Sequence, residues 1–422
     1  MTGLSRLALL GWLCCSLFFG YVFVLRVSPS VMIGELMRDF SVGAGLLGHL
    51  SAFYFYAYAA MQLPVGVLLD RYGARRLMTL AALLVALGCL VFALAPDIRT
   101  AYAGRLMIGF GAAFSFVGAL TVTALLLPPR HFSRYGGIVQ LFGMLGAIGG
   151  QAPLERGVAA FGWRDSMLAL AAVGLLLALG FAMALRDGQA RRSGFGELWR
   201  GLGAVCRNPR SWLAAVFGMA MTAPMLAFAG LWAVPWLGVT HGLDRTAAAA
   251  MASLLFVGWA VGSPFWGWLA DRSGRRRVPM LAGAALTGLP LALAIGLPGL
   301  GTTAIALLFL AIGFGGSVMI LTFAVARDAN PPGASGAAMG LVNTCVVGSG
   351  AIFQPLTGLL LDLQWQGELA EGVRVYTPAA YGLALAVLPA GAGLGALAAL
   401  LLPDDYRKRP ARSTEEELPS RS

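Results

Sequence analysis

Between residues 7 and 402 the sequence is a near-continuous succession of apolar stretches parted by short polar connections. Most reach about 20 residues, the length a helix needs to cross the hydrocarbon of a bilayer. Inside lipid every backbone N–H and C=O must be satisfied within the protein, which leaves helices or closed barrels. Barrel strands alternate in polarity every second residue, and these stretches do not. Twelve helical spans fit, over 7–34, 45–69, 77–96, 100–127, 134–158, 165–186, 211–238, 246–270, 278–298, 302–326, 335–362 and 377–402. Composition agrees: charged residues make up 12% of the chain, where a soluble domain carries roughly 25%.

The net charge of +11 invites a nucleic-acid reading, but its placement argues against one. With both termini in the cytoplasm, most Lys and Arg fall on the cytoplasmic side, the pattern that sets membrane topology and meets anionic headgroups. The first apolar stretch is too long for a signal-peptide core and is kept as a span. Cys14, Cys15, Cys89, Cys206 and Cys345 show no paired spacing; neither disulfide nor metal site is expected, and no cofactor is implied.

The connection Gly66–Arg76 reads GVLLDRYGARR and returns as GWLADRSGRRR over Gly267–Arg277. Gly66 and Gly267, Asp70 and Asp271, Arg71 and Arg272, and Gly73 and Gly274 match at one offset. Gly73 sits where two helices reverse in very few residues and a positive φ is needed. The repeat extends further. IGFG at 108–111 returns at 312–315, Pro128-Pro129 return as Pro331-Pro332, and Gln140 and Gln151 align with Asn343 and Gln354. Six spans per half, starting on the same side, imply two bundles related by a pseudo-twofold along the membrane normal. The expected fold is therefore an all-α membrane protein of twelve helices in two pseudo-symmetric six-helix bundles. The bundles cover 1–186 and 211–402, joined by a cytoplasmic linker over 187–210 and followed by a disordered cytoplasmic tail over 403–422. The linker's FGELWRGLGAV stretch suits a short helix on the membrane face, or a plain connection.

On these hairpins the chain resembles the major facilitator superfamily. GVLLDRYGARR is similar to that family's signature between its second and third helices, and GWLADRSGRRR to the weaker echo between the eighth and ninth. GRLMIGFGAAF at 104–114 is similar to the fourth-helix pattern of an Arg followed by spaced glycines. LRVSPSVMIGELMRDF at 25–40 places an Arg in the first helix, as in the organic-anion branch. The start of the chain also resembles proteobacterial transporters of amino acids, nucleosides or siderophores. The fifth-helix pattern of drug/proton antiporters is not matched: Gly149-Gly150 precede Gln151-Ala152-Pro153. The resemblance gives the hairpins a gating role, carried here by Gly66, Asp70, Arg71, Gly73, Arg75, Arg76, Asp271 and Arg272. It gives Arg105 a coupling or structural role, against a plain interfacial anchor.

Arg26 is the first candidate for substrate binding. A charge that deep costs several kcal/mol unless it faces water or a partner, and a guanidinium fork suits a carboxylate. The competing reading is an Arg snorkelling out of a tilted helix. Tyr54, Tyr58 and Gln62 share one helix face and can line a watery cavity or simply pack. Gln140 with Gln151, and Asn343 with Gln354, each stand eleven residues apart, close to three turns. They can face a cavity or act as glue between helices. Trp232 and Trp236 can stack on a ligand or anchor at the interface. Asp70 and Asp271 can cap a neighbouring helix and pair with Arg. Glu35, Asp39, Glu155, Asp328 and Asp362 fall near helix ends, so no proton site is visible.

These residues suggest a secondary transporter of the inner membrane, working as a monomer by alternating access and moving a small carboxylate-bearing solute. Uptake coupled to protons or another ion is expected; membrane lipid is the other partner and nucleic acid is not one. Export of drugs or siderophores, and a receptor without transport, are the alternatives. No Walker sequence, HExxH or serine–base pair supports an enzyme.

Overall fold

The computed structural model describes residues 6–126, 132–185 and 195–403. Ten helices are long and apolar enough to span, and two bent pairs make up to twelve. In chain order they are α1 (Ala8–Val31), α2 (Ala44–Met61 with Pro64–Tyr72), α3 (Ala74–Ala93), α4 (Ile98–Leu125), α5 (Arg134–Gly149 with Ala152–Phe161) and α6 (Trp163–Ala184). The second half follows as α7 (Pro209–His241), α8 (Arg245–Ser273), α9 (Arg277–Gly296), α10 (Thr302–Ala329), α11 (Ser335–Leu363) and α12 (Pro378–Leu401). The expected tail, and residues 187–194 of the linker, lie outside the described residues. The linker's remainder forms a helix, Phe195–Cys206, with Gly201 against Ala334 and Ala337 at the start of α11.

Several spans are less regular than the apolar pattern suggests, and proline explains where they break. A proline inside a helix removes a backbone bond and crowds the preceding turn. α2 bends by 62° before Pro64, and α5 by 41° between Gly149 and Ala152, just ahead of Pro153. α1 tightens into a 3-10 turn at Ser28–Val31 around Pro29. In α7 the nine residues from Pro224 to Trp232 are π-helical and wholly buried. π turns are rare and frequently mark functional sites.

The repeated motifs have structural causes. Gly73 and Gly274 take φ of +86° and +62° at the two hairpins, conformations that glycine adopts without a Cβ penalty. The two IGFG segments are contact points. A Cβ on Gly109 would overlap the carbonyl of Tyr54, and one on Gly313 that of Leu255. So α4 closes on α2, and α10 on α8, in the same way.

The hairpin connections α2–α3 and α8–α9 define one end of the molecule, the hairpin end; the opposite end is the far end. α2 and α11 run against each other across the two halves. At the far end a Cβ on Gly48 would come within 2.6 Å of the Gln354 carbonyl, whereas one on Gly66 or Gly336, at the hairpin end, would meet nothing within 4 Å.

Candidate functional site

The centre of the first half is built around Tyr54. α1 brings Arg26, α2 brings Tyr54, Phe55 and Tyr58, and α4 brings Arg105. Arg26 is 5% exposed and lies inside the protein rather than snorkelling to the surface. Its Nε donates to the Tyr54 hydroxyl at 3.4 Å. Its Cζ lies 4.1, 5.5, 6.0 and 5.0 Å from the ring centroids of Phe23, Tyr54, Phe55 and Tyr58. Such cation–π contacts offset part of the cost of burial, roughly 0.5–2 kcal/mol each. They do not neutralise the charge. Among the described residues no carboxylate pairs with Arg26 or Arg105. Tyr54 and Tyr58 stack at 5.8 Å, so this face combines packing with a polar contact to Arg26.

The amides other than Gln140 are engaged in hydrogen bonds between helices. Gln62 accepts from Asn343 Nδ2 across the halves. Gln354 Nε2 donates to the Leu226 carbonyl at 2.7 Å, and Gln151 Nε2 to the Ala229 carbonyl at 3.0 Å. Both acceptors belong to the π segment of α7. Ser30, in the 3-10 turn of α1, donates to Gln151 Oε1 at 3.4 Å. Gln151 and Gln354 are fully buried; Gln151 joins the irregular parts of α1 and α7, and Gln354 ties α7 to α11. Gln140 is half-buried. Trp232 is likewise anchored, donating from Nε1 to the Gln354 carbonyl at 3.0 Å. Trp236 packs on Phe228 and Phe309. Neither indole stands open to a ligand in this conformation.

At the hairpin end Asp70, Arg71, Arg75, Arg76, Asp271 and Arg272 are exposed. Gly73 and Arg276, the residues that precede α3 and α9, make no side-chain cap to those helices. In the second half Arg276 donates to Asp328 of α10 at 2.9 Å. Arg71 and Arg272 lie over Tyr72 and Trp268, their own helical neighbours.

Sequence reasoning passed over the far end, where acids at helix ends turn out to join the halves. Arg245, at the start of α8, pairs with Glu35 of the short helix Ile33–Phe40 and, at 3.0 Å, with Glu155 of α5. The Thr246 hydroxyl also donates to Glu155. Asp362, at the end of α11, accepts from the backbone N–H groups of Ala44 and Gly45 at 3.1 and 2.8 Å. A carboxylate there satisfies the unpaired donors and positive end of α2. Tyr376 and Arg374, on the loop after α11, also donate to Asp362. Burial, with that carboxylate beside it, holds the Tyr376 phenol protonated well above its ordinary range. The two arrangements correspond under the repeat: α5 reaches the start of α8, and α11 the start of α2. The available signal was an arginine on the side poor in arginine.

A family model described as Major Facilitator Superfamily matches residues 12–233 and 221–421. The chain is 25% identical over 384 residues to the gentisate transporter of Corynebacterium glutamicum, covering 85% of this chain and 84% of that one. It is 24% identical to a probable sulfoacetate transporter of Cupriavidus necator over 64% of this chain. That match spans 66% of the relative, just under two thirds of its length. Among solved structures, a bacterial homologue of the lysosomal transporter Spinster, captured inward-facing, superposes with a TM-score of 0.75 at 17% identity, covering 94% of this chain and 96% of that one. The nucleoside transporter NupG gives 0.75 at 15% identity, covering 94% and 98%.

Proposed function

The chain belongs to the major facilitator superfamily and is a transporter, and from that premise we propose that it carries a small carboxylate-bearing solute across the inner membrane by ion-coupled alternating access. The observation that carries this reading is Arg26, a buried guanidinium without a carboxylate partner among the described residues. A buried charge left uncompensated is costly, and a solute carboxylate meets it with two parallel charge-assisted bonds. The relatives named for gentisate and sulfoacetate fit this chemistry.

In this reading the bundles 1–186 and 211–402 rock about the Arg26 site. The far end is periplasmic and closed in this conformation, held by Arg245 with Glu35 and Glu155 and by Asp362 on α2. The hairpin end is cytoplasmic, which puts most of the basic residues inside. The hairpins with Asp70, Arg71, Arg75, Arg76, Asp271 and Arg272 form the gate of the opposite conformation.

The test is binding and counterflow in proteoliposomes, using gentisate, sulfoacetate and galactonate as probes. At least one carboxylate should bind, and Arg26→Ala should weaken it by about a hundredfold, the loss of a bidentate pair worth nearly 3 kcal/mol. Carboxylate transport that persists unchanged in this variant overturns the reading.

A further inference from the structure

Arg105 is a second buried cation that the reading above leaves unused. Among the described residues three charged side chains are buried: Arg26 at 5%, Arg105 at 0% and Glu155 at 3% exposure. Glu155 is committed to Arg245. Two guanidiniums therefore share the interior of the first half with no opposing carboxylate. They are neighbours. The Arg105 Cζ lies 5.2 Å from the Tyr54 ring centroid and the Arg26 Cζ 5.5 Å from the same centroid. The two cations can be no further apart than the sum of those distances, which a skeleton of a few carbons spans.

Arg105 is also incompletely satisfied. Nη1 donates to the Leu25 carbonyl at 2.8 Å, next in sequence to Arg26. Nε and Nη2 are buried and have no hydrogen-bond partner. Buried polar groups of native proteins nearly always find one, and an exception calls for an explanation. Clamping α4 to α1 needs only the bond to Leu25; it does not need a charge or a fork. The repeat does not need them either: the matching stretches of the second half, around Phe228 and Leu308, carry no charge. The contact of Gly109 with the Tyr54 carbonyl places α4 so that Arg105 reaches this ring.

We propose that Arg105 receives a second acidic group of the solute, so that the preferred substrate is a compact dianion bridging Arg26 and Arg105 beside Tyr54. This rests on Arg26 as the anion hook and adds the substrate's charge. A monoanion would leave one buried cation unmatched, whereas a dianion matches both.

The experiment compares chain-matched acids on the purified full-length protein: succinate, malonate and glutarate against butyrate, by calorimetry. At least one diacid should bind about tenfold or more tighter than butyrate, and Arg105→Gln, which keeps a donor for the Leu25 carbonyl, should bring that ratio towards one. The ratio is the readout that a purely structural role would not move. Equal affinity for diacid and monoacid in the unaltered protein overturns the inference while leaving the Arg26 reading intact. A ratio that survives Arg105→Gln, or both affinities falling in step, also overturns it. Binding of both acids unaffected by Arg26→Gln removes the Arg26 reading and this inference with it. If Arg105→Gln does not fold, Arg105→Lys decides: it should keep the diacid preference, and loss of preference with the charge retained counts against the inference.

Discussion

Arg245 holds two carboxylates at once, and both come from the other half of the molecule. Removing it leaves Glu155 buried with only the Thr246 hydroxyl. Losing one member of a buried pair costs about 3–5 kcal/mol; because the Arg245 side chain is 36% exposed, about 1–2 kcal/mol is the fitting figure. Arg245→Gln should therefore raise the population open at the far end by about tenfold. A cysteine at Ser30, introduced after removal of the native cysteines, should be labelled correspondingly faster by an impermeant maleimide; an unchanged rate would remove Arg245 from the closure. Little of this was legible beforehand. The sequence locates Arg26 and the paired amides, because an ionisable or amide group inside an apolar run is conspicuous on its own. It does not show what a residue meets, so Glu155 and Asp362 read only as acids near helix ends.

Among the elements, α7 depends most on others. Its π segment offers the carbonyls of Leu226 and Ala229 to two glutamines from different halves. Gln354 is on α11, in the same half as α7; Gln151 is on α5, across the interface. Replacing either by Leu removes a buried hydrogen bond worth about 1–3 kcal/mol, with different consequences. Gln354→Leu should lower the melting temperature without changing far-end labelling at position 30, whereas Gln151→Leu should raise that labelling. Identical behaviour of the two variants would mean that Gln151 does not join the halves. The span positions were readable from apolar length, and the hairpins from their charges and glycines. The bends were readable only in hindsight, since Pro64 bends α2 whereas Pro355 sits inside an α11 described as one helix.

For the whole molecule, the duplicated plan is written plainly in the hairpins and the IGFG segments, and their matched contacts in the two halves explain the repetition. What the repeat hides is the difference between the halves: among the described residues the buried cations belong to the first and the π segment to the second. If transport requires the far end to open, tying it shut must stop transport. A Cβ at Gly45 would lie 3.7 Å from the Leu359 Cα, close enough for a disulfide between Gly45→Cys and Leu359→Cys. Oxidation should reduce solute flux by about tenfold or more, with recovery on adding reductant; full flux through the cross-linked protein would rule out far-end opening. The placement of Arg26 and Arg105 also has an electrical consequence. With both cations unmatched, the unloaded carrier bears positive charge within the membrane, and a solute anion cancels some or all of it. A voltage across the bilayer does work of about 2.3 kcal/mol per charge per 100 mV on charge that crosses it fully. It therefore acts most strongly on the step in which the carrier returns without cargo.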